Sequence, residues 1–337
     1  MLKNYVSVIN QYNGRVDSTE DYEAFRWHQI IKPLDLNTQD TPFDLKLGFA
    51  FIGFCCDLGV QRNKGRAGAK DGPAAIRGRF TNYACRFSKE VALFDAGNII
   101  TEGIDLEEAH ELLEKAVQKI RSLNLFPIVL GGGHETTFGH YMGQLSYLED
   151  AKSDNTPVDL AILNFDAHFD NRPYDNGRSS GTMFRQIADF CEEKNMSFGY
   201  MPIGIQKHSN TVALFREADK RGTEYVLASE IHNDTVDVVS KKIDAFLAKH
   251  ENFYITICTD VFSASFAPGV SAPQPLGLSV RKTITYIEQA ARTGKLCGFD
   301  VCEIAPNYDA ADITAAVGAL LIFTVVNTLC EMNGLIQ

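Results

Sequence analysis

Short apolar runs alternate with longer amphipathic stretches along most of the chain. The apolar runs predict buried strands at residues 46–54, 91–95, 126–130, 158–163, 199–205, 225–227, 253–260 and 296–304. The stretches between and after them predict helices at 74–80, 106–123, 179–194, 212–221, 235–250, 280–293 and 313–330. Strands that alternate with helices form a parallel sheet covered on both faces, so the pattern predicts the α/β fold class.

The first 45 residues differ from the rest, because they are polar and only weakly periodic. They contain the single tryptophan, Trp27, beside His28. We expect residues 1–45 to form an N-terminal extension packed on the body, in which His28 is structural rather than catalytic. Residues 46–337 contain no internal repeat and no linker rich in proline or serine, so we expect them to form one domain.

Composition excludes several classes of function. The chain has 337 residues, of which 45% are hydrophobic and 22% charged, and its net charge of −11 argues against a surface for nucleic acid or acidic membranes. We count no apolar run of membrane-spanning length and find no secretion signal, which predicts a soluble, cytoplasmic protein. The eight cysteines lack metal-knuckle spacing, so most are expected to be buried, reduced thiols.

Candidate chemistry is concentrated directly after the predicted strand 158–163. If the chain stays extended there, Asp166, His168 and Asp170 lie on one face and converge. Two carboxylates and an imidazole suit manganese, zinc or iron better than calcium. The alternative is a helix N-terminus, where aspartate is common for capping and dipole reasons.

Three more predicted strands end in residues of the same chemical types. His134 follows three glycines after strand 126–130, Cys258 and Asp260 lie in strand 253–260, and Glu303 lies in strand 296–304. The carboxyl ends of parallel strands meet at one edge of the sheet, where open α/β proteins bind ligands. We therefore expect a single site at this edge.

A basic loop follows the first predicted strand in this otherwise acidic chain. Residues 59–73 contain Arg62, Lys64, Arg66 and Lys70. Guanidinium groups placed at the carboxyl end of a strand can bind carboxylates. A solvated basic loop without a ligand is the open alternative.

Three segments together resemble the signature blocks of the arginase/agmatinase/formimidoylglutamase (ureohydrolase) family. They are the glycines with His134 and Glu135, the block from Asn164 to Asp170, and Cys258-Thr259-Asp260 followed by the Ala-Pro-Gly-Val-Ser-Ala-Pro segment 267–273. The loop at 62–69, the segment 179–186 and the segment 261–273 look most similar to the bacterial formimidoylglutamases.

The resemblance implies a three-layer α/β/α sandwich around a mainly parallel eight-stranded sheet, with two manganese ions. His134 and Asp170 would bind one ion, and His168 and Asp260 the other, with Asp166 bridging. The second bridging position, normally an aspartate, falls on Cys258. A thiolate is softer than a carboxylate and poorly matched to manganese. Cys258 could be an accepted ligand, the second ion could bind weakly, the site could have lost metal, or the thiol could pair with Cys55 or Cys56.

The activity implied is hydrolysis of N-formimidoyl-L-glutamate to L-glutamate and formamide, in histidine degradation, by a hydroxide that bridges the two ions. Asp170 would relay a proton to the leaving amine, and Glu303 would hold the cationic amidinium. The histidine proton shuttle of arginases falls near Ser180, which we place in the substrate site. We also expect Arg62, Arg66, Asn171 and Arg172 to bind the substrate carboxylates.

Other functions stay open from the sequence. A ureohydrolase acting on arginine, agmatine or a guanidino acid is the alternative within the enzymes, and a metal-free binding protein is the alternative outside them. A deacetylase-like zinc enzyme fits less well, because we find no His-His catalytic pair. The family resemblance also implies a homo-oligomer.

Overall fold

The central sheet positions everything else in the protein. The computed structural model describes residues 2–8, 12–154 and 156–337, and within them the sheet has ten strands. The strands are β1 (Tyr5–Val6), β2 (Lys32–Pro33), β3 (Leu47–Cys55), β4 (Val91–Ile100), β5 (Phe126–Leu130), β6 (Leu160–Phe165), β7 (Gly199–Ile205), β8 (Val226–Leu227), β9 (Asn252–Cys258) and β10 (Leu296–Cys302). Their order is β1-β4-β3-β5-β10-β9-β6-β7-β8, with β2 also paired to β4.

Strands β3 to β10 form the predicted eight-stranded parallel body, and the two extra strands come from the N-terminal segment. β1 pairs with β4 in the antiparallel direction, whereas β2 pairs with it in parallel. β6 follows β5 in the sequence but is not its neighbour in the sheet, because β10 and β9 lie between them. β5, β10, β9 and β6 are therefore neighbours, and their carboxyl ends lie side by side.

Helices cover both faces of the sheet. They are α1 (Trp27–Ile30), α2 (Leu58–Arg62), α3 (Gly72–Phe80), α4 (Leu106–Ser122), α5 (Thr136–Ala151), α6 (Met183–Glu193), α7 (Val212–Lys220), α8 (Ala228–Asn233), α9 (Val236–Leu247), α10 (Val280–Ala291) and α11 (Ile313–Met332). Helices α4, α5 and α6 pack on one face, and α3, α9, α10 and α11 pack on the other. The α/β/α sandwich predicted from the sequence is confirmed.

Helix α5 is the long element that the sequence analysis did not predict. Nine of its first ten residues, 136–145, are buried, including two glycines, so no polar stripe alternates with an apolar one. The amphipathic pattern that identifies a surface helix is therefore absent from the first half of α5. Here tertiary packing determines the structure rather than periodicity.

Helix α11 corrects the expectation that no apolar run is long enough to span a membrane. It has 20 residues and is the one helix, within the residues described, that is long and apolar enough to cross a membrane. However, 72% of its most apolar window is buried inside the protein. Its neighbours include α3 and α10, and it contributes residues such as Leu321 and Val325 to the main hydrophobic cluster, as the core helix of a folded domain does.

The N-terminal segment contributes to this core through Trp27, which is fully buried. Its ring stacks on Phe51 of β3 at 6.0 Å and on Phe323 of α11 at 5.9 Å, and it also contacts Phe80 and Phe87. The N-terminal segment therefore packs against both strand β3 of the sheet and helix α11 of the helix layer.

We expect the substitution Trp27→Ala to lower the free energy of unfolding by about 3–5 kcal/mol, because it leaves a cavity among four aromatic rings. Urea unfolding followed by circular dichroism measures this change. Val16→Ala is the control in the same segment, since Val16 is 53% exposed and its truncation should alter stability by less than about 0.5 kcal/mol. Equal effects of the two substitutions would contradict the structural role of Trp27.

Candidate functional site

Four neighbouring strand ends bring the candidate ligands together. His134 follows β5, Asp166, His168 and Asp170 follow β6, and Cys258 is the last residue of β9. Asp260 lies just beyond it in a 3-10 turn, Thr259–Val261, rather than in the strand predicted for it. Glu303 follows β10. The residues that the sequence analysis placed at this edge of the sheet do lie together.

The carboxylate of Asp166 is the centre of the cluster. Its Oδ2 lies 2.9 Å from Nδ1 of His134, and its Oδ1 lies 3.5 Å from Nδ1 of His168. His134 Nδ1 is also 3.1 Å from Oδ2 of Asp170, and His168 Nδ1 is 3.0 Å from Oδ2 of Asp260. Each oxygen of one carboxylate thus faces a different histidine, as a ligand shared by two ions requires.

The local backbone reaches this geometry differently from the extended chain we predicted. β6 ends at Phe165, and the chain bends at 167–168, so that Asp166 Oδ1 accepts a hydrogen bond from the backbone N–H of His168 at 2.8 Å. Asp170 has a φ of 45°, in the left-handed region that non-glycine residues rarely adopt. A folded-back loop, not strand periodicity, makes the three side chains converge.

The donor atoms form two candidate groups for binding a divalent cation. Two sets of ligand atoms, each within 4.8 Å of one another, share Asp166: His134, Asp166 and Cys258 form one, and Asp166, His168 and Asp260 form the other. Oδ1 of Asp260 is buried and lacks a hydrogen-bond partner among the described residues. A buried carboxylate oxygen without a donor is costly, and a bound cation would satisfy it.

The pKa shifts of the buried acidic groups also favour a bound cation. Burial, followed by the charge of Asp166, raises the pKa of Asp170 to about 6. Burial alone would raise the pKa of Asp166 as well, but the imidazoles of His134 and His168 hold it below its ordinary value. Burial and the surrounding carboxylates raise the pKa of the Cys258 thiol far above its usual range. A divalent cation stabilises the ionised forms of such a cluster.

Glu303 closes the cluster on the β10 side. Its Oε1 accepts a hydrogen bond from the backbone N–H of His134 at 2.9 Å, and its own N–H donates to the carbonyl of Gly132 at 2.7 Å. Its φ of 67° is again left-handed, and burial raises the pKa of its carboxyl group well above the usual value. Gly132 is required here, because a Cβ at that position would lie 1.8 Å from the carbonyl oxygen of Cys56.

A cleft of about 310 Å³ opens over these residues. It is lined by Val60, Asn63, Lys64, Gly65, Arg66, His134, His168, Asp170, Arg172, Ser180, Cys258, Asp260, Ser271, Ala272 and Glu303. Acidic groups form its floor, and three cationic side chains reach its walls. A small substrate with a cationic group at one end and carboxylates at the other would be complementary to this distribution of charge.

Two residues predicted to bind substrate lie outside the cleft lining. Arg62 donates from Nη1 to both carboxylate oxygens of Glu107, at 2.9 and 3.1 Å, and to the carbonyl of Arg178 at 3.3 Å. Asn171 is buried, and its Nδ2 donates to the carbonyl of Leu214. Both side chains are bonded to other parts of the chain in this structure.

The other predicted substrate residues, Arg66, Arg172 and Ser180, do line the cleft. Arg66 is partly committed, because it donates to the carbonyls of Ser271 and Val270 and its guanidinium stacks on Tyr308 at 4.3 Å.

Lys64 is a lining cation that we did not choose from the sequence, although it belongs to the basic loop identified there. Its left-handed φ of 62° gives the loop a turn at that point, which the sequence pattern did not reveal.

The disulfide considered for Cys258 does not form in this structure, where all eight cysteines are free. Cys258 is buried at the end of β9, and Cys56 lies near a different partner, with its Sγ 3.6 Å from Oε1 of Glu135. Cys258 therefore stands in the cluster as a thiol.

Known proteins are similar to this chain in sequence and in fold. The chain is 51% identical to a formimidoylglutamase of Clostridium tetani over 96% of both chains, and 42% identical to one of Geobacillus thermodenitrificans over 91% of this chain and 92% of that one. The crystal structure of a Bacillus subtilis formimidoylglutamase has the same fold, with a TM-score of 0.77, 21% identity and coverage of 95% of this chain and 96% of that one.

A Trypanosoma cruzi formiminoglutamase solved with Mn²⁺ aligns with a TM-score of 0.72 and 27% identity, over 87% of this chain and 97% of that one. Residues 47–327 match the model of the Arginase family, which is most of the chain and contains every candidate ligand. The chain belongs to the arginase family.

Proposed function

We propose that the protein hydrolyses N-formimidoyl-L-glutamate to L-glutamate and formamide, with two manganese ions as cofactor. The main support for this proposal is the cleft. It combines two sets of candidate metal ligands, which share Asp166, with cationic side chains at its walls. The formimidoylglutamases of Clostridium tetani and Geobacillus thermodenitrificans, similar over almost the whole chain, support the same substrate.

The ligand assignment builds on the two sets and adds Asp170, which belongs to neither of them. His134 and Asp170 would hold one ion, His168 and Asp260 the other, and Asp166 and Cys258 would contact both. Manganese bound there would acidify a water molecule and so supply the nucleophile at neutral pH.

The protein's own groups then perform the remaining work on the amidine. Glu303 would bind the cationic amidinium through charge-assisted hydrogen bonds, which places the formimidoyl carbon over the ligand cluster. Asp170, which lines the cleft, would relay a proton to the glutamate nitrogen. The bond between that nitrogen and the formimidoyl carbon breaks, and glutamate leaves as the amine.

Lys64 and Arg172 are the best candidates for binding the two substrate carboxylates. Both line the cleft, and neither side chain makes an ion pair within the described part of the chain. Arg66 can add a donor from the guanidinium nitrogen that the carbonyls of Ser271 and Val270 leave free. Ser180, buried at the cleft wall, offers a hydroxyl to the same substrate.

The remaining proposals concern the protein as a whole. We propose that residues 46–337 act as one catalytic domain, that the enzyme is cytoplasmic and that it assembles as a homo-oligomer.

The central test is release of formamide and glutamate from N-formimidoyl-L-glutamate by the purified protein, with and without manganese under reducing conditions. We expect turnover that depends on manganese and much weaker turnover of arginine and agmatine, because agmatine lacks a carboxylate and neither has the formimidoyl group. Preference for a guanidino compound would move the assignment to another ureohydrolase activity. Failure to bind manganese at all would favour a metal-free binding protein.

The second prediction concerns Lys64 and Arg172. Replacing either by glutamine removes a charged hydrogen bond to a substrate carboxylate. We therefore expect the free energy of substrate binding to weaken by about 1.5–3 kcal/mol, which corresponds to a KM about 10- to 150-fold higher. Arg62→Gln is the matched control, since it removes a cation of the same loop that pairs with Glu107 outside the cleft.

An analogue separates direct contact from a general charge effect. N-formimidoyl-4-aminobutyrate lacks the α-carboxylate, so the variant that has lost the partner of that group should lose less affinity for the analogue than for the full substrate. If Arg62→Gln raised KM as much as the other two substitutions, our assignment of the carboxylate ligands would be wrong.

The third prediction tests the thiol at position 258. A carboxylate is a harder ligand than a thiolate and suits manganese better, so we expect Cys258→Asp to bind manganese more tightly than the wild type. Cys258→Ser is the size-matched control, because a neutral hydroxyl should bind no more tightly than the thiol. Equilibrium dialysis with metal analysis measures both. A weaker site in Cys258→Asp would indicate that the surrounding residues are adapted to sulfur.

A further inference from the structure

We propose that Thr256, Asp300 and His140 form a buried relay that fixes the ring tautomer of His134 and thereby sets the affinity of the site for manganese. The inference rests on the metal centre of the proposed function. It assigns a positioning role to three residues that lie behind the cleft and do not line it.

The relay begins at the ring nitrogen of His134 that faces away from the other candidate ligands. Nε2 of His134 lies 3.0 Å from Oγ1 of Thr256, and that hydroxyl donates to Oδ1 of Asp300 at 2.5 Å. The other oxygen of Asp300 lies 2.6 Å from Nδ1 of His140. All four residues are almost fully buried, so water does not compete for these bonds.

The donor and acceptor roles along this path have one consistent solution. An ionised carboxylate only accepts, so the single hydroxyl hydrogen of Thr256 goes to Asp300. Thr256 must then accept from both remaining neighbours, which are Nε2 of His134 and Oγ1 of Thr137 at 3.0 Å. His134 therefore has its hydrogen on Nε2, and in the neutral ring the lone pair lies on Nδ1.

That lone pair is directed at the metal site. Nδ1 of His134 faces the carboxylates of Asp166 and Asp170, at 2.9 and 3.1 Å. The opposite tautomer would place a hydrogen there and could not coordinate a cation. Histidine ligands whose second nitrogen is hydrogen-bonded are oriented in this way, and losing the partner weakens metal binding.

The far end of the relay is also fixed. Nε2 of Gln144 lies 3.1 Å from Nε2 of His140, so the amide donates to His140, whose own hydrogen goes from Nδ1 to Asp300. Gly298 of β10 makes room for this pair, because a Cβ there would lie 2.3 Å from Nε2 of Gln144 and 2.7 Å from Nε2 of His140. Both members of the pair thus donate toward the carboxylate.

The test is a titration of the metal-depleted protein with manganese alone, without substrate. We expect Thr256→Val, which removes only the hydroxyl, to weaken one of the two ions by about 10- to 100-fold. Thr256→Ser restores the hydroxyl and should recover the wild-type affinity. Thr283→Val is the matched control, since Thr283 is equally buried but its hydroxyl donates to the backbone carbonyl of Ser279, just before α10.

A second variant keeps the test decisive if Thr256→Val does not fold. Asp300→Asn has nearly the same shape but lacks the charge that holds the Thr256 hydroxyl, so it too should weaken one ion. Thermal unfolding of each metal-depleted variant reports the fold separately. Wild-type affinity in folded Thr256→Val or Asp300→Asn would overturn the relay. Absence of manganese binding by the wild type would overturn the metal centre itself, along with the relay.

Discussion

Burial of acidic groups around the Asp166 carboxylate is the constraint on which the rest of the site depends. Asp166, Asp260 and Glu303 are at least nine-tenths buried at the rim of the sheet. Several carboxylates in a medium of low dielectric repel one another, and two histidines compensate only part of that cost. The cluster thus makes physical sense as a holder of divalent cations. The backbone at Asp170 and Glu303 is left-handed, and strain of this kind persists where the surrounding structure holds the chain in place.

The order of the strands explains why residues so far apart in sequence meet. His134 and Glu303 are separated by 169 positions, yet they follow adjacent parallel strands and share a hydrogen bond. Because β9 and β10 enter the gap between β5 and β6, the ends that provide ligands become neighbours. The position of β9 and β10 between β5 and β6 therefore completes the site.

Features that depend on local composition could be predicted from the sequence. Features that depend on which side chains pair with each other could not. Buried strands are apolar runs, so their ends, and with them His134, Asp166 and Glu303, could be predicted. The family resemblance and the fold were confirmed. By contrast, nothing local distinguishes Arg62, which pairs with Glu107, from Lys64, which reaches the cleft. Helix α5 was missed because the burial of its first half removes the amphipathic signal.

Strand β9 shows how one element can separate two properties of the site. Side chains of a strand alternate between its faces, so Thr256 and Cys258 lie on the same side, one behind the other. Thr256 acts on His134 from behind, through a hydrogen bond, whereas Cys258 belongs to a candidate ligand set itself. A change at position 258 alters the hardness of the site but leaves the orientation of His134 intact. Under the proposed relay, a change at position 256 would instead alter the orientation of His134 and leave the ligand atom at position 258 in place, so the two positions would affect the site in different ways.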